Sequence, residues 1–386
     1  ARHLLLLTVH HVAFDGASTA LLLRELGALY ALASGGGGVA AAAALPALRV
    51  QYVDFAAWQR GALPAHLGPH RAYWRAALRE GALPPLELPL DFARPARQTF
   101  RGGSVAVALP AAVAARLAAA ARAHGCTLFQ LVLALWALLL CRHAGQEEVV
   151  VGAPYHGRDA AGTEGLIGYF VNVLPLRVAA ARGGTVGALL RAAREAAVGG
   201  VAHAALPFQQ LVHEELPRRV HDASRNAVFQ AMLAWGDAAD ERALASGTEG
   251  GGGFGPEVEV APVSWDAGDE DGGVDGDGVA KVELTLSAGV GASGGIEGAI
   301  EYNSDLFARE SVERLAARLA ALAEALAGAA DDADAWALPL LPAAEAALVL
   351  RGFNETAAPF PAELCVHDLV AAQAARTPDA VALEWR

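Results

Sequence analysis

Residues 8–19 read TVHHVAFDGAST and follow the apolar run of RHLLLLTV. A continuous apolar run bounded by polar residues has the composition of a strand covered on both faces. At its end, His10, His11, Asp15 and Gly16 bring together two imidazoles, a carboxylate and a residue free of side-chain restriction. Side chains alternate across a strand, so one histidine is expected to face a cleft and the other to be a satisfied core residue. An imidazole, with a reference pKa of about 6.5, suits a reaction in which an amine loses its proton while attacking a carbonyl. Asp15 followed by Gly16 reads as a turn, where a carboxylate either fixes the loop through hydrogen bonds or pairs with an arginine.

Outward from this stretch, the bulk of the chain bounds the answer. With 386 residues, 54% of them apolar, it can bury a sizeable core in two or three compact units. A formal charge of −13 without a concentrated basic patch argues against nucleic acid and against an anionic membrane surface as partners. Cys126, Cys141 and Cys365 lie far apart without C-x-x-C or Cys/His ligand spacing, which argues against a zinc site and a disulfide framework and fits a reducing, cytoplasmic compartment. The longest apolar stretch, LFQLVLALWALLLC from Leu128, is about 14 residues, short of a bilayer span. It is expected to be a buried core helix. The first residues carry no signal-peptide pattern, and the chain reads as a segment of a longer one.

Helices and strands are expected in mixed order. From Ser18, STALLLRELGALYAL keeps its leucines on one face until the SGGGG run, which reads as a flexible insertion. VQYVDFAAWQRGAL places Tyr52, Phe55 and Trp58 at helical spacing as a core-packing face. RGGSVAVALP alternates as a strand does, and the two helical segments after it each end in a glycine suited to a C-terminal cap. EEVVVGAPYHGRD reads as a buried strand leaving into a loop; IGYFVNVLPLRV, ASRNAVFQAMLAW, KVELTLSA and GIEGAIEYNSDLF are strand-like, TVGALLRAAREAAV is helical, and a long helix starts at Arg309. The class is α/β or α+β. Residues 236–280 form an acidic, glycine-rich stretch, expected to be a disordered insertion; DAGDEDGGVDGDG lacks the spacing and closing glutamate of a calcium loop, so no metal is expected.

The pattern HHVAFDG resembles the H-H-x-x-x-D-G motif of condensation domains from nonribosomal peptide synthetases. Further stretches resemble that family in the same order: YVDFAAWQR, LPLDFARPARQTFRGG, IGYFVNVLPLR, HAALPFQQLV, HDASRNAVFQAML and AIEYNSDLF. From Leu338 onward, LPLLPAAEAALVLRGFNET and VHDLVAAQAARTPDAVAL resemble the linker and opening residues of an adenylation domain. The resemblance implies an α/β (α+β) chloramphenicol-acetyltransferase-like fold of two lobes forming a V, here with the first lobe incomplete. It divides the chain into the C-terminal part of the first lobe (1–108), the second lobe (109–329) with its insertion near 236–280, a linker (330–357) and the start of an adenylation domain (358–386). Implied, too, is amide formation between a donor thioester and an acceptor aminoacyl thioester. Both would arrive on phosphopantetheine arms of upstream and downstream peptidyl carrier domains, with no cofactor bound by the domain itself.

By the same resemblance His11 is the catalytic histidine, as general base or as the group that positions the amine, while His10 is the core residue. Asp15 is structural, with Arg158 in APYHGRD as its expected partner, and Gly16 lets the backbone pass close to the thioester. Asn172 lines the tunnel or caps its own turn; Ser224 lies near the tunnel or is a turn serine. Two departures stand out: Ala17 occupies a position where the family often has a bulky residue, and Ala204 and Ala205 stand where Gln-Asp is common. PFQQLV and YVDFAAWQR lean toward the subtype that takes a D-configured donor. The competing readings are an epimerisation-type relative and a catalytically inactive scaffold or docking segment.

Overall fold

The computed structural model describes residues 3–33, 45, 47–236 and 278–385. Both expected glycine-rich insertions, 34–44 and most of 236–280, lie outside the described residues. The chain forms a large unit, Ala1–Leu340, and a small one, Leu341–Arg386.

The large unit is built of α1 (Gly16–Ala33), α2 (Tyr52–Gly61), α3 (Gly68–Ala77), β1 (Arg101–Leu109), α4 (Ala111–Ala123), α5 (Leu128–Ala144), β2 (Glu148–Tyr155), β3 (Asn172–Ala179), α6 (Val186–Ala202), β4 (Ala231–Trp235), β5 (Gly278–Val279), β6 (Leu284–Val290), β7 (Ile296–Asn303) and α7 (Arg309–Leu326). Among the described residues the strands form one seven-stranded sheet in the order β3-β2-β4-β6-β7-β1-β5. Pairs β2/β4 and β4/β6 are parallel, and the rest are antiparallel. A mixed sheet with interleaved helices is the expected α/β (α+β) class.

The core is organised around α5. Thr127 accepts a hydrogen bond from the Gln130 amide (3.2 Å), and the Gln130 side chain accepts one from the Thr127 amide (2.9 Å). This reciprocal cap satisfies two otherwise orphaned donors at the helix start. Gly145, at φ +68°, closes the helix in a left-handed conformation that a glycine adopts without a Cβ clash. Every residue from 130 to 141 is buried, because α5 packs against α4, α6 and α7 and along β2, β3 and β4. Helices α6 and α7 lie on β3 and β1. Among the described residues no single helix is long and apolar enough to cross a membrane; α4 and α5 meet those criteria only as a pair bent by 102°.

Three expectations are corrected. Residues 4–7 form no strand, and these leucines are 61, 63, 69 and 50% exposed. A strand needs a hydrogen-bonding neighbour, and no described strand pairs with this run. The strand expected in IGYFVNVLPLRV begins only at Asn172, because the backbone groups just before it bond to side chains of α1, α2 and the residue that caps α1. In ASRNAVFQAMLAW, pairing starts only at Ala231; Asn226 Oδ1 instead accepts the Val228 and Phe229 amides at 3.1 and 3.4 Å.

The small unit carries α8 (Ala343–Leu350) and α9 (Val366–Arg376). Cys365, His367 and Asp368 bring ligand-type atoms within 4.8 Å of one another at the start of α9, a grouping not anticipated from the cysteine spacing. All three are exposed, and Asp368 is engaged in capping the helix through the Cys365 amide at 3.0 Å.

Candidate active site

Asp15 directly precedes α1, where its Oδ1 accepts from the Ser18 amide (3.0 Å) and the Ser18 hydroxyl (2.8 Å). A carboxylate in this position satisfies a free N–H of the first turn and meets the positive end of the helix dipole. From the loop after β2, Arg158 Nη1 donates to Asp15 Oδ2 at 2.7 Å and Nη2 to Oδ1 at 2.9 Å. Nη2 also reaches Ser18 Oγ (3.1 Å) and the Leu166 carbonyl (3.2 Å), and the guanidinium lies 4.4 Å over the Phe170 ring. Gly157 brings this loop in: it holds φ +64°, and a Cβ there would sit 2.1 Å from the Phe170 carbonyl oxygen.

Burial raises the Asp15 pKa, but the Arg158 hydrogen bond, followed by those from the Phe170 amide and Ser18, outweighs it and holds the carboxyl below its ordinary value. An ionised carboxylate whose lone pairs are occupied is a structural anchor and a poor proton carrier. The pair also grips the segment before β3. Phe170 donates its amide to Asp15 Oδ2 (3.1 Å), Gly168 donates its amide to Ser18 Oγ (3.1 Å), and Tyr52 of α2 donates its hydroxyl to the Tyr169 carbonyl (2.8 Å).

His11 opens a single 3-10 turn, His11–Ala13, and is exposed. Its Nδ1 lies 2.6 Å from the Phe14 carbonyl. A carbonyl can only accept, so Nδ1 carries a proton, and in the neutral form of the ring the basic lone pair lies on Nε2. The Tyr169 ring stands edge-on to the imidazole, with centroids 5.0 Å apart and planes at 87°. His10 is not a core residue. It is exposed, because the chain turns here where a strand was expected, and its Nδ1 accepts the Val12 amide at 3.1 Å.

Gly16 is the first residue of α1, with open space where a Cβ would point. Asn172 donates to the Ala204 and Leu206 carbonyls (2.8 and 2.9 Å) and accepts the Phe208 amide (3.0 Å), holding the HAALPF loop against β3. Ser224 closes a local turn on Asp222 through its amide (2.8 Å) and hydroxyl (2.6 Å). Neither residue bonds to His11, Asp15 or Arg158 among the described residues. Of the aromatic face on α2, Tyr52 and Phe55 pack on Phe170, with centroids 5.1 and 4.7 Å away. Trp58 is 45% exposed and among the described residues touches this group only through Phe55, 5.8 Å between centroids, so it is not a core residue. Sequence reasoning missed Ser18, Gly157, Tyr169 and Phe170. Only Ser18 carried a local signal, three positions after an aspartate at a helix start.

The family model for the condensation domain matches residues 1–348, and the chain belongs to the condensation-domain family of nonribosomal peptide synthetases. It is 35% identical over 380 residues to malpinin synthetase of Mortierella alpina, covering 98% of this chain and 4% of that protein. It is 38% identical over 385 residues to phosphinothricin tripeptide synthetase PhsB of Streptomyces viridochromogenes, covering 99% of this chain and 30% of that protein. The chain thus spans less than a third of the length of either relative. Among solved structures, the X-domain in its complex with OxyB from teicoplanin biosynthesis superposes with a TM-score of 0.68 at 27% identity, over 86% of this chain and 69% of that one. The first condensation domain of the calcium-dependent antibiotic (CDA) synthetase shares the fold, with a TM-score of 0.61 at 23% identity over 86% of this chain and 66% of that one.

Proposed function

We propose that the chain forms a peptide bond between two carrier-bound thioesters. The acceptor's amine nitrogen attacks the donor's thioester carbonyl, the new C–N bond forms, and the C–S bond breaks. His11 Nε2 takes the proton that the amine sheds and returns it to the departing phosphopantetheine thiolate, so the ring ends as it began. The observation that carries this reading is the 2.6 Å Nδ1–Phe14 contact, which leaves Nε2 as the ring's basic atom. Asp15, followed by Gly16 and paired with Arg158, holds the histidine turn in place and transfers no proton. The phosphopantetheine arms belong to upstream and downstream carrier domains in the cytoplasm. Residues 1–108 and 109–329 serve as parts of the two lobes, with β1 (Arg101–Leu109) crossing that boundary to join the sheet of the second, and Asn172 and Ser224 bordering the tunnel between them; residues 330–357 are a linker, and 358–386 open an adenylation domain. The stretches PFQQLV and YVDFAAWQR favour a D-configured donor.

One observation favours a second reading, a docking segment without turnover: the similar X-domain was solved in complex with OxyB. The test supplies carrier proteins loaded with acceptor and with L- or D-configured donors and detects dipeptidyl product by mass spectrometry. Product that is richer with the D-donor supports the condensation reading and its subtype. No product with any donor, from folded protein, favours the docking reading.

A further inference from the structure

Asp15 and His11 do not touch among the described residues, yet the residues on either side of Tyr169 are bonded to the Asp15 cluster. Gly168 donates its amide to Ser18 Oγ at 3.1 Å, and its carbonyl lies 3.0 Å from the same hydroxyl, whose one proton it shares with Asp15. Phe170 gives its amide to Asp15 Oδ2 at 3.1 Å. Between them, the Tyr169 carbonyl is held by the Tyr52 hydroxyl at 2.8 Å. Three successive backbone units are therefore fixed, and what they present to the imidazole is the Tyr169 ring, 5.0 Å away at 87°.

We propose that Tyr169 is a positioning residue through which the Asp15–Arg158 pair sets the orientation of His11. The Nδ1–Phe14 hydrogen bond is made by an exposed ring and is lost whenever the ring rotates about its Cα–Cβ or Cβ–Cγ bond. An aromatic surface at right angles removes that freedom and favours the rotamer in which Nδ1 meets Phe14, which keeps Nε2 basic. No group titrates or transfers a proton in this role. The ring contact matters, and the phenol oxygen does not.

This proposal rests on the condensation reading for its kinetic arm only. Three variants of the full chain, Tyr169→Phe, Tyr169→Ala and Tyr52→Phe, are compared with wild type by amide formation from loaded carriers and by 15N chemical shifts of the His11 ring, assigned by their loss in His11→Gln. Tyr169→Phe is expected to keep kcat within about twofold and to keep the Nδ1–H tautomer. Tyr169→Ala is expected to lower kcat by several-fold to about tenfold with KM nearly unchanged, and to shift the 15N signals toward a tautomer mixture. Tyr52→Phe should move both readouts in the same direction by less. An unchanged kcat and unchanged 15N signature in a folded Tyr169→Ala overturns the proposal, as does failure of Tyr169→Phe to retain the tautomer. If wild type makes no amide at all, the condensation reading fails, and the 15N comparison still decides the role of Tyr169.

Discussion

The Asp15 carboxylate is nearly sealed from solvent, at 1% exposure, and its oxygens are shared among Arg158, Ser18 and the Phe170 amide. Removing one partner of such a pair strands a buried charge, so Arg158→Ala should lower unfolding free energy by about 3–5 kcal/mol in urea titrations. Arg158→Lys should recover only part of this, because one ammonium cannot span both carboxylate oxygens and reach Ser18 and the Leu166 carbonyl as well. Since folding depresses the Asp15 pKa, the pair stabilises fully above the unfolded value of about 3.9, and that contribution is lost as pH falls through the lower folded value. The stabilities of wild type and Asp15→Asn, compared from about pH 7 to about pH 2.5, should therefore converge at the acid end. A gap that stays constant contradicts the assignment of an ionised, paired Asp15.

At the level of elements, the decisive feature is that residues 168–170, just before β3, stay out of the sheet and bond to α1, α2 and Asp15. Gly168 makes this possible: a Cβ there would lie 2.3 Å from Tyr52 Cδ2, and the Tyr52 ring is tied to the same segment through its hydroxyl. Gly168→Ala should cost about 1–3 kcal/mol of stability through overpacking and should reduce activity by displacing Tyr169. Thermal unfolding and the amide assay measure the two effects separately. The sequence pattern could not reveal this departure, since IGYFVN is as apolar as a strand and the partner, Ser18, lies 150 positions away. The ends of α5, by contrast, were legible, because Thr127 and Gly145 act on their own helix. For the same reason Asp15 and its arginine could be paired only through the family resemblance, while Tyr169, whose role depends wholly on distant contacts, gave no sign.

For the molecule as a whole, the mixture of helical and alternating patterns was enough to set the α/β class, whereas the strand order β3-β2-β4-β6-β7-β1-β5 depends on pairings that no local window contains. The exposed leucines at 4–7 illustrate the limit of composition: an apolar run becomes a strand only beside a neighbour. What the ordered series of motifs conveyed was membership of the condensation family, and the geometry around His11 supplies a chemical reason for its leading motif. The most direct measurement is the single-turnover rate of amide formation from loaded carriers in wild type and in His11→Ala of equal fold by circular dichroism. A loss of about 10²–10⁴-fold in the variant is predicted for a histidine that moves the amine's proton. Equal rates in the two proteins would contradict it.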